Sequence, residues 1–209
     1  MNTVITIGRE FGSGGREIGK RLSELLGIAY YDKEIVTEIA NRTSMAEEYV
    51  HQIIEQNPKM LFPITTARTL HHNVSNDYLF RQYNNLYAEQ SNVLHEMAEK
   101  SSCVIVGRCA DYILRDLNPL RVFVYADMTS KIARCRQKSE VDENLTDKQL
   151  AKMIRRIDKS RAKYYQYYTG NTWGRRRNYD LLINTTSLNV VHVAELLAGL
   201  IKANMETEG

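Results

Sequence analysis

The sequence predicts a three-layer α/β/α fold on a parallel five-strand sheet, interrupted by a helical insertion and a lid. Two observations carry this. Five short apolar runs alternate with segments of helical periodicity, the pattern of strands joined by helical crossovers. Runs such as Val104-Ile105-Val106 and Val122-Phe123-Val124 are apolar throughout, as strands covered on both faces of a parallel sheet must be.

The first strand is Val4–Ile7, and it empties into a glycine-rich turn, Gly8-Arg9-Glu10-Phe11-Gly12-Ser13-Gly14-Gly15-Arg16-Glu17. A helix over Arg16–Leu26 follows, with Ile18, Leu22, Leu25 and Leu26 at helical spacing. A strand that runs through glycines into a helix leaves bare N–H groups at the positive end of the helix dipole. That arrangement cradles phosphate; the bland alternative is a tight turn. The pattern G-x-x-x-x-G-K-[ST] has its lysine where this chain has Gly15, and no lysine follows until Lys20. Arg16 reads as the only cation at the loop mouth. The segment therefore looks like a P-loop NTPase-type turn whose phosphate-gripping residue has been replaced.

The second strand is Ile28–Tyr31, followed by a helix over Lys33–Asn41. From Thr43 to Lys100 the pattern is helical without a strand, and Pro58 and Pro63 break it into pieces. This is an inserted helical subdomain, about 43–100. The third strand, Val104–Gly107, leads to a helix over Cys109–Arg115, and the fourth, Val122–Tyr125, to a helix over Thr129–Lys138. Ser139 to Arg177 is a charged stretch that reads as a lid, about 139–177. Its helix, Thr146–Tyr168, can be capped by Thr146 or Asp147. The fifth strand, Leu181–Asn184, and a helix over Leu188–Asn204 complete one domain across 1–209.

Composition excludes several classes. With 209 residues and 43% hydrophobic content the chain can bury one sizeable core. A net charge of +3 gives no bulk argument for nucleic acid. The basic runs Arg155-Arg156, Lys159, Arg161, Lys163 and Arg175 to Arg177 read singly as a solvated helix face. Cys103, Cys109 and Cys135 lack C-x-x-C spacing and fit free thiols in a reducing cytosol. Cys103, at the head of an apolar strand, reads as a small core residue. His71-His72 lacks the spacing and carboxylate company of a metal site. No signal peptide is visible, and no apolar run approaches the roughly 20 residues of a membrane span. The expected protein is soluble and cytoplasmic.

Asp32 ends the second strand and Arg108 the third, both at the carboxyl edge of the sheet, where open α/β sheets bind ligands. Taken singly, Asp32 reads as a helix cap, Arg108 as a surface residue, and Tyr164, Tyr165, Tyr167 and Tyr168 as packing. Together with Gly12–Arg16 they outline one site beneath a basic, aromatic flap.

These residues sit in stretches that resemble the cytidylate kinase-like family, from Thr3 to about Ala198. The stretches are ITIGREFGSGGREIGKRL, YYDKEI, VIVGRCADYIL, LRVFVYAD, the D-x-x-R of Asp158-Lys159-Ser160-Arg161, YYTGNTWG and NYDLLINT. The resemblance implies roles. Gly12, Ser13, Gly14 and Gly15, with Arg16 and Glu17, would wrap the phosphates of ATP. Asp32, Arg108, Asp158 and Arg161 would hold the acceptor, and Arg16, Arg134 and Arg156 would act on the transferring phosphoryl group. Mg2+ use is implied too, but the position of the P-loop hydroxyl holds Arg16 or Glu17, so its ligands stay unassigned.

Two functions follow, from different classes. One is a kinase moving the terminal phosphoryl of ATP to a small acceptor, with nucleoside monophosphates such as CMP as candidates. The other is a catalytically weak nucleotide-binding regulator or adaptor, favoured by the missing lysine, since arginine and lysine are not interchangeable. RNA binding through arginines interleaved with tyrosines is a third option. The small net charge and the absence of an RNA motif count against it.

Overall fold

The computed structural model describes residues 2–55, 73–138 and 145–207. The prolines of the insertion, His71-His72 and the first residues of the lid, 139–144, lie outside the described residues. In chain order the elements are β1 (Val4–Arg9), α1 (Gly15–Leu26), β2 (Ala29–Tyr31), α2 (Glu34–Thr43), α3 (Glu47–Glu55) and α4 (Asn73–Lys100). There follow β3 (Cys103–Val106), α5 (Ala110–Ile113), β4 (Leu120–Tyr125), α6 (Met128–Gln137), α7 (Asp147–Thr169), β5 (Leu181–Asn184) and α8 (Val190–Thr207).

All five strands are parallel, in the order β2-β3-β1-β4-β5. The predicted parallel five-strand sheet is the observed one. β1 is central, with Ile5 in register with Val104 of β3 on one side and Leu120 of β4 on the other. Its carboxyl end, where the glycine turn leaves, therefore lies in the middle of the sheet edge.

Strand alternation divides the core in two. Ile5, Ile7, Val104, Val106, Val122 and Val124 pack with Ile18 and Leu22 of α1 and Val193, Ala194 and Leu197 of α8. Val4, Cys103 and Ile105 point the other way, onto Ile35 and Ile39 of α2, Leu86 and Leu94 of α4 and Ile113 of α5. Cys103 is a fully buried core thiol, as expected. Each fully buried aliphatic side chain contributes about 1.5–3 kcal/mol, so both helical layers are held firmly to the sheet.

The helix ends follow local chemistry. α1 stops at Gly27 in the left-handed region. α7 starts with a reciprocal capping box between Thr146 and Gln149 and ends at Gly170. Along α7, Tyr164 and Tyr165 are buried in the main core, and Leu150 and Ile154 pack on Cys135 of α6. Within the lid stretch, α7 is thus packed along one face onto the body of the domain. Its two buried tyrosines follow the core alternative that the sequence left open.

Candidate active site

The glycine turn is tied down by its own backbone and by β5. The hydroxyl of Ser13 donates to the Glu10 carbonyl at 2.8 Å and accepts from the Gly15 N–H at 3.4 Å. Thr185, fully buried just after β5, donates to the Ser13 carbonyl at 2.7 Å. Gly14 caps α1 with φ 85°, and its carbonyl accepts from Ile18. The N–H groups of Arg16 and Glu17, in the first helical turn, have no intrahelical acceptor and point out of the helix end.

A cavity lies over Gly12–Glu17, walled by Arg9, Arg16, Arg134, Lys138 and Arg161. Arg16 is therefore not the only cation at the loop mouth. Its Nε is bound to Asp32 Oδ2 at 2.6 Å, and Lys138 Nζ to Glu17 Oε2 at 2.7 Å. Arg134 differs, for its Nη2 donates to a carbonyl, that of Thr185, and no carboxylate among the described residues pairs with its charge. Its Nη1 is buried and has no hydrogen-bond acceptor among the described residues. A donor left in that state costs about 1–3 kcal/mol unless an anion takes it up.

Two of these cations, Arg9 and Lys138, went unrecognised from the sequence, as did Lys131 beneath the loop. Lys131, Arg134, Cys135 and Lys138 fall at i, i+3, i+4 and i+7 of α6, a single face turned to the loop. That spacing was a signal available in the sequence. Lys131 is 4% exposed, with Nζ 2.5 Å from Glu10 Oε2 and 3.0 Å from Asp158 Oδ2. Asp158 Oδ1 accepts from the Phe11 N–H at 2.7 Å. Burial pushes the Asp158 carboxyl up, opposed by the Phe11 N–H and the Lys131 ammonium.

Two of the residues expected in the site have other surroundings. Asp158 is engaged on both oxygens, by the Phe11 N–H and by Lys131 Nζ, and braces the turn. Arg156 is exposed on α7 and lines neither cavity at the sheet edge. Asp158 and Arg161, three apart, share the face turned to the loop, and Arg156, two positions from Asp158, points away.

A second cavity opens beside the first, lined by Gly107, Arg108, Asp111, Tyr164, Tyr165 and Trp173, with Arg9 and Arg161 common to both. Gly107, Arg108 and Cys109 are successive left-handed residues at the end of β3, with φ of 77°, 59° and 54°. For Arg108 and Cys109 this is a strained conformation, costing on the order of 1–3 kcal/mol each. It turns the Arg108 side chain into the interior, and Gln90 Nε2 donates to its carbonyl at 2.9 Å. Asp111 Oδ2 accepts from the Tyr165 hydroxyl at 2.6 Å, and burial pushes its carboxyl up to about 6. Asp32 is buried between Arg16 and Arg9 and caps no helix with its side chain. The sheet edge brings Gly12–Glu17, Asp32, Arg108, Arg134 and Arg161 together.

The described residues do not form a Mg2+ cage. Ser13 is engaged within the loop, and Glu10, Asp32 and Asp158 each already face a lysine or arginine. Among the described residues no group of three His, Cys, Asp or Glu side chains could hold a metal ion.

The molecule has the architecture of the P-loop kinases. Similar solved structures include shikimate kinase from Bacteroides thetaiotaomicron, at 16% identity and TM-score 0.57, covering 96% of this chain and 98% of that one. That likeness is one of fold. An uncharacterized protein from Eubacterium ventriosum ATCC 27560 is similar at 28% identity and TM-score 0.69, covering 96% and 99% of the two chains. The chain belongs to the cytidylate kinase-like family, whose model matches residues 4–187. A cytidylate kinase of Desulfurococcus amylolyticus is 22% identical over 191 residues, which is 91% of this chain and 88% of that protein.

Proposed function

We propose that this chain transfers the terminal phosphoryl group of ATP to a small acceptor, with nucleoside monophosphates, CMP among them, as the first candidates. The observation that carries the reading is the buried Arg134 Nη1 over the glycine turn, a donor with no acceptor among the described residues. In this reading the triphosphate lies on the N–H groups of Gly12 to Glu17. Arg16, Arg134, Lys138 and Arg161 neutralise it, and the acceptor phosphate enters the second cavity beside Arg108. Transfer of this kind is mostly positioning and charge stabilisation, which a ring of fixed cations supplies. Mg2+, where used, would supply further charge neutralisation, and no described residues are assigned to hold it. The described residues include no helix long and apolar enough to cross a membrane. The three cysteines are buried and form no disulfide. Buried thiols outside disulfides accord with a reducing compartment.

A second reading has its own support. Arg16 is held by Asp32, and the lysine of the usual loop is absent, as in a nucleotide-binding regulator that has lost efficient transfer. Incubation with γ-labelled ATP, Mg2+ and a panel of nucleoside monophosphates and small alcohols separates the two. Label appearing in a diphosphate or phosphorylated acceptor is the expected result. Tight ATP binding with no labelled product from any acceptor would favour the regulator.

A further inference from the structure

We propose that Arg9 replaces the absent P-loop lysine, its guanidinium standing between the two cavities to hold the phosphoryl group in transit. The inference rests on the kinase reading above. Arg9 closes β1 at the centre of the sheet, and the residue is only 7% exposed. Its side chain leaves the strand sideways along the carboxyl edge. The guanidinium covers Gly107 at the end of β3, so closely that a Cβ there would lie 1.8 Å from Nη1 and 2.7 Å from Cζ. It then reaches toward Asp32, with Nη2 3.7 Å from Oδ1. Nearer the backbone, a Cβ on Gly15 would lie 2.5 Å from Arg9 Cβ and 3.2 Å from Cγ.

Two sequence features thereby acquire one cause. Gly15, where the loop pattern has lysine, and Gly107 both lack side chains because the Arg9 stem and fork fill those places. A lysine stem at 15 and an arginine stem at 9 exclude each other. Simply restoring lysine at position 15 is therefore not a repair of the loop, since its Cβ collides with Arg9.

The position suits the chemistry. Arg9 and Arg161 are the residues common to both cavities, and Arg161 Nη1 donates to the Arg9 carbonyl at 3.4 Å. A group moving between the cavities passes these two side chains. In the step, the bond between the γ-phosphorus and its bridging oxygen breaks, and the electron pair stays on ADP. A bond forms from an anionic phosphate oxygen of the acceptor, so no proton has to move. The guanidinium remains protonated throughout and meets the equatorial oxygens, over which the charge is spread. Its planar fork can bind two of them at once.

The test compares ATP with ADP by calorimetry, alongside turnover. In Arg9→Gln the affinity for ATP should fall about tenfold or more while that for ADP stays within about twofold. The turnover number should drop by about 10²–10³, as when one transition-state donor is removed elsewhere. An equal loss for both nucleotides, or unchanged ATP affinity and turnover, would make Arg9 a structural residue and overturn the proposal. Should Arg9→Gln fail to fold, Arg9→Lys keeps a charge opposite Asp32 without the fork. It should retain ADP binding and lose about tenfold in turnover; unchanged turnover overturns the proposal. If the wild-type protein binds neither nucleotide, the kinase reading itself fails and the role of Arg9 falls with it. If it binds and transfers, and only the Arg9 variants behave as wild type, the kinase reading survives alone.

Discussion

Replacing Gly14 with valine is expected to weaken ATP binding severely while the sheet still forms. Gly14 caps α1 at φ 85°, where a β-branched residue is strained by about 1–3 kcal/mol. A Cβ there would also lie 2.5 Å from Val190 Cγ1, on the first residue of α8. The loop must move off α8 to admit it, which carries the N–H groups of Arg16 and Glu17 away from the phosphate position and shifts the Arg134 side chain, whose Cδ lies 3.9 Å from the same point. A displacement of about 1 Å can cost 10²-fold where geometry does the work. The expected loss in ATP affinity is therefore about 100-fold or more by calorimetry, roughly 2.7 kcal/mol. Circular dichroism should remain that of an α/β fold. Affinity within about threefold of wild type would remove the glycine turn from the site.

Lys131→Met is the substitution expected to cost most in stability. The ammonium is buried between Glu10 and Asp158, and Asp158 in turn holds the Phe11 N–H. Without it, two carboxylates face each other with little water to screen them. Breaking a buried pair from one side typically costs about 3–5 kcal/mol, which for a chain of this size lowers Tm by about 6–20 °C. The sign of the pH effect follows. Without the ammonium that opposes it, burial would push the Asp158 carboxyl further above its unfolded value, so the stability this group leaves intact is present at low pH and is lost as pH rises through that raised value. The deficit of the variant relative to wild type should therefore grow from acid to neutral pH. The triple variant Glu10→Gln, Lys131→Met, Asp158→Asn should recover much of the loss, because no buried charge is then left alone. Thermal melts across pH check all three statements, and a pH-independent deficit would contradict them.

Much of the fold was legible because burial writes itself into the strands. Val104-Ile105-Val106 and Val122-Phe123-Val124 are covered on both faces, and the strand Leu181–Asn184 was located to its observed bounds. Helix ends fell within a few residues of their predicted places where a glycine or a capping threonine marks them, as at Gly27, Thr146 and Gly170. Helix α3 lay within a stretch recognised only as helical, since its boundaries carry no such mark.

The site was less legible, for a physical reason. The glycine turn and the edge positions of Asp32 and Arg108 follow from chain order, because strand ends of a parallel sheet share one edge. Which cations meet there depends on helix faces. Arg156 and Arg161 look alike in a basic run, yet only Arg161 shares the inward face with Asp158. Lys131 is a charge buried by two carboxylates that are distant in sequence, and hydrophobic periodicity passes over such a residue. Arg9 was hidden for a different cause: it closes a strand that was expected to stop at Ile7, and its meaning comes from the two glycines that give it room.

The central claim is that a nucleoside triphosphate rests on the Gly12–Glu17 turn. Amide chemical shifts of 15N-labelled protein titrated with ATP and Mg2+ test it most directly. The largest shifts are expected at Gly12, Gly14, Arg16 and Glu17, with Arg134 and Arg161 following on the helices above. Shifts confined to other surfaces, such as the Arg115–Arg121 edge at the opposite end of the sheet, with the turn amides unmoved at saturating ATP, would contradict it.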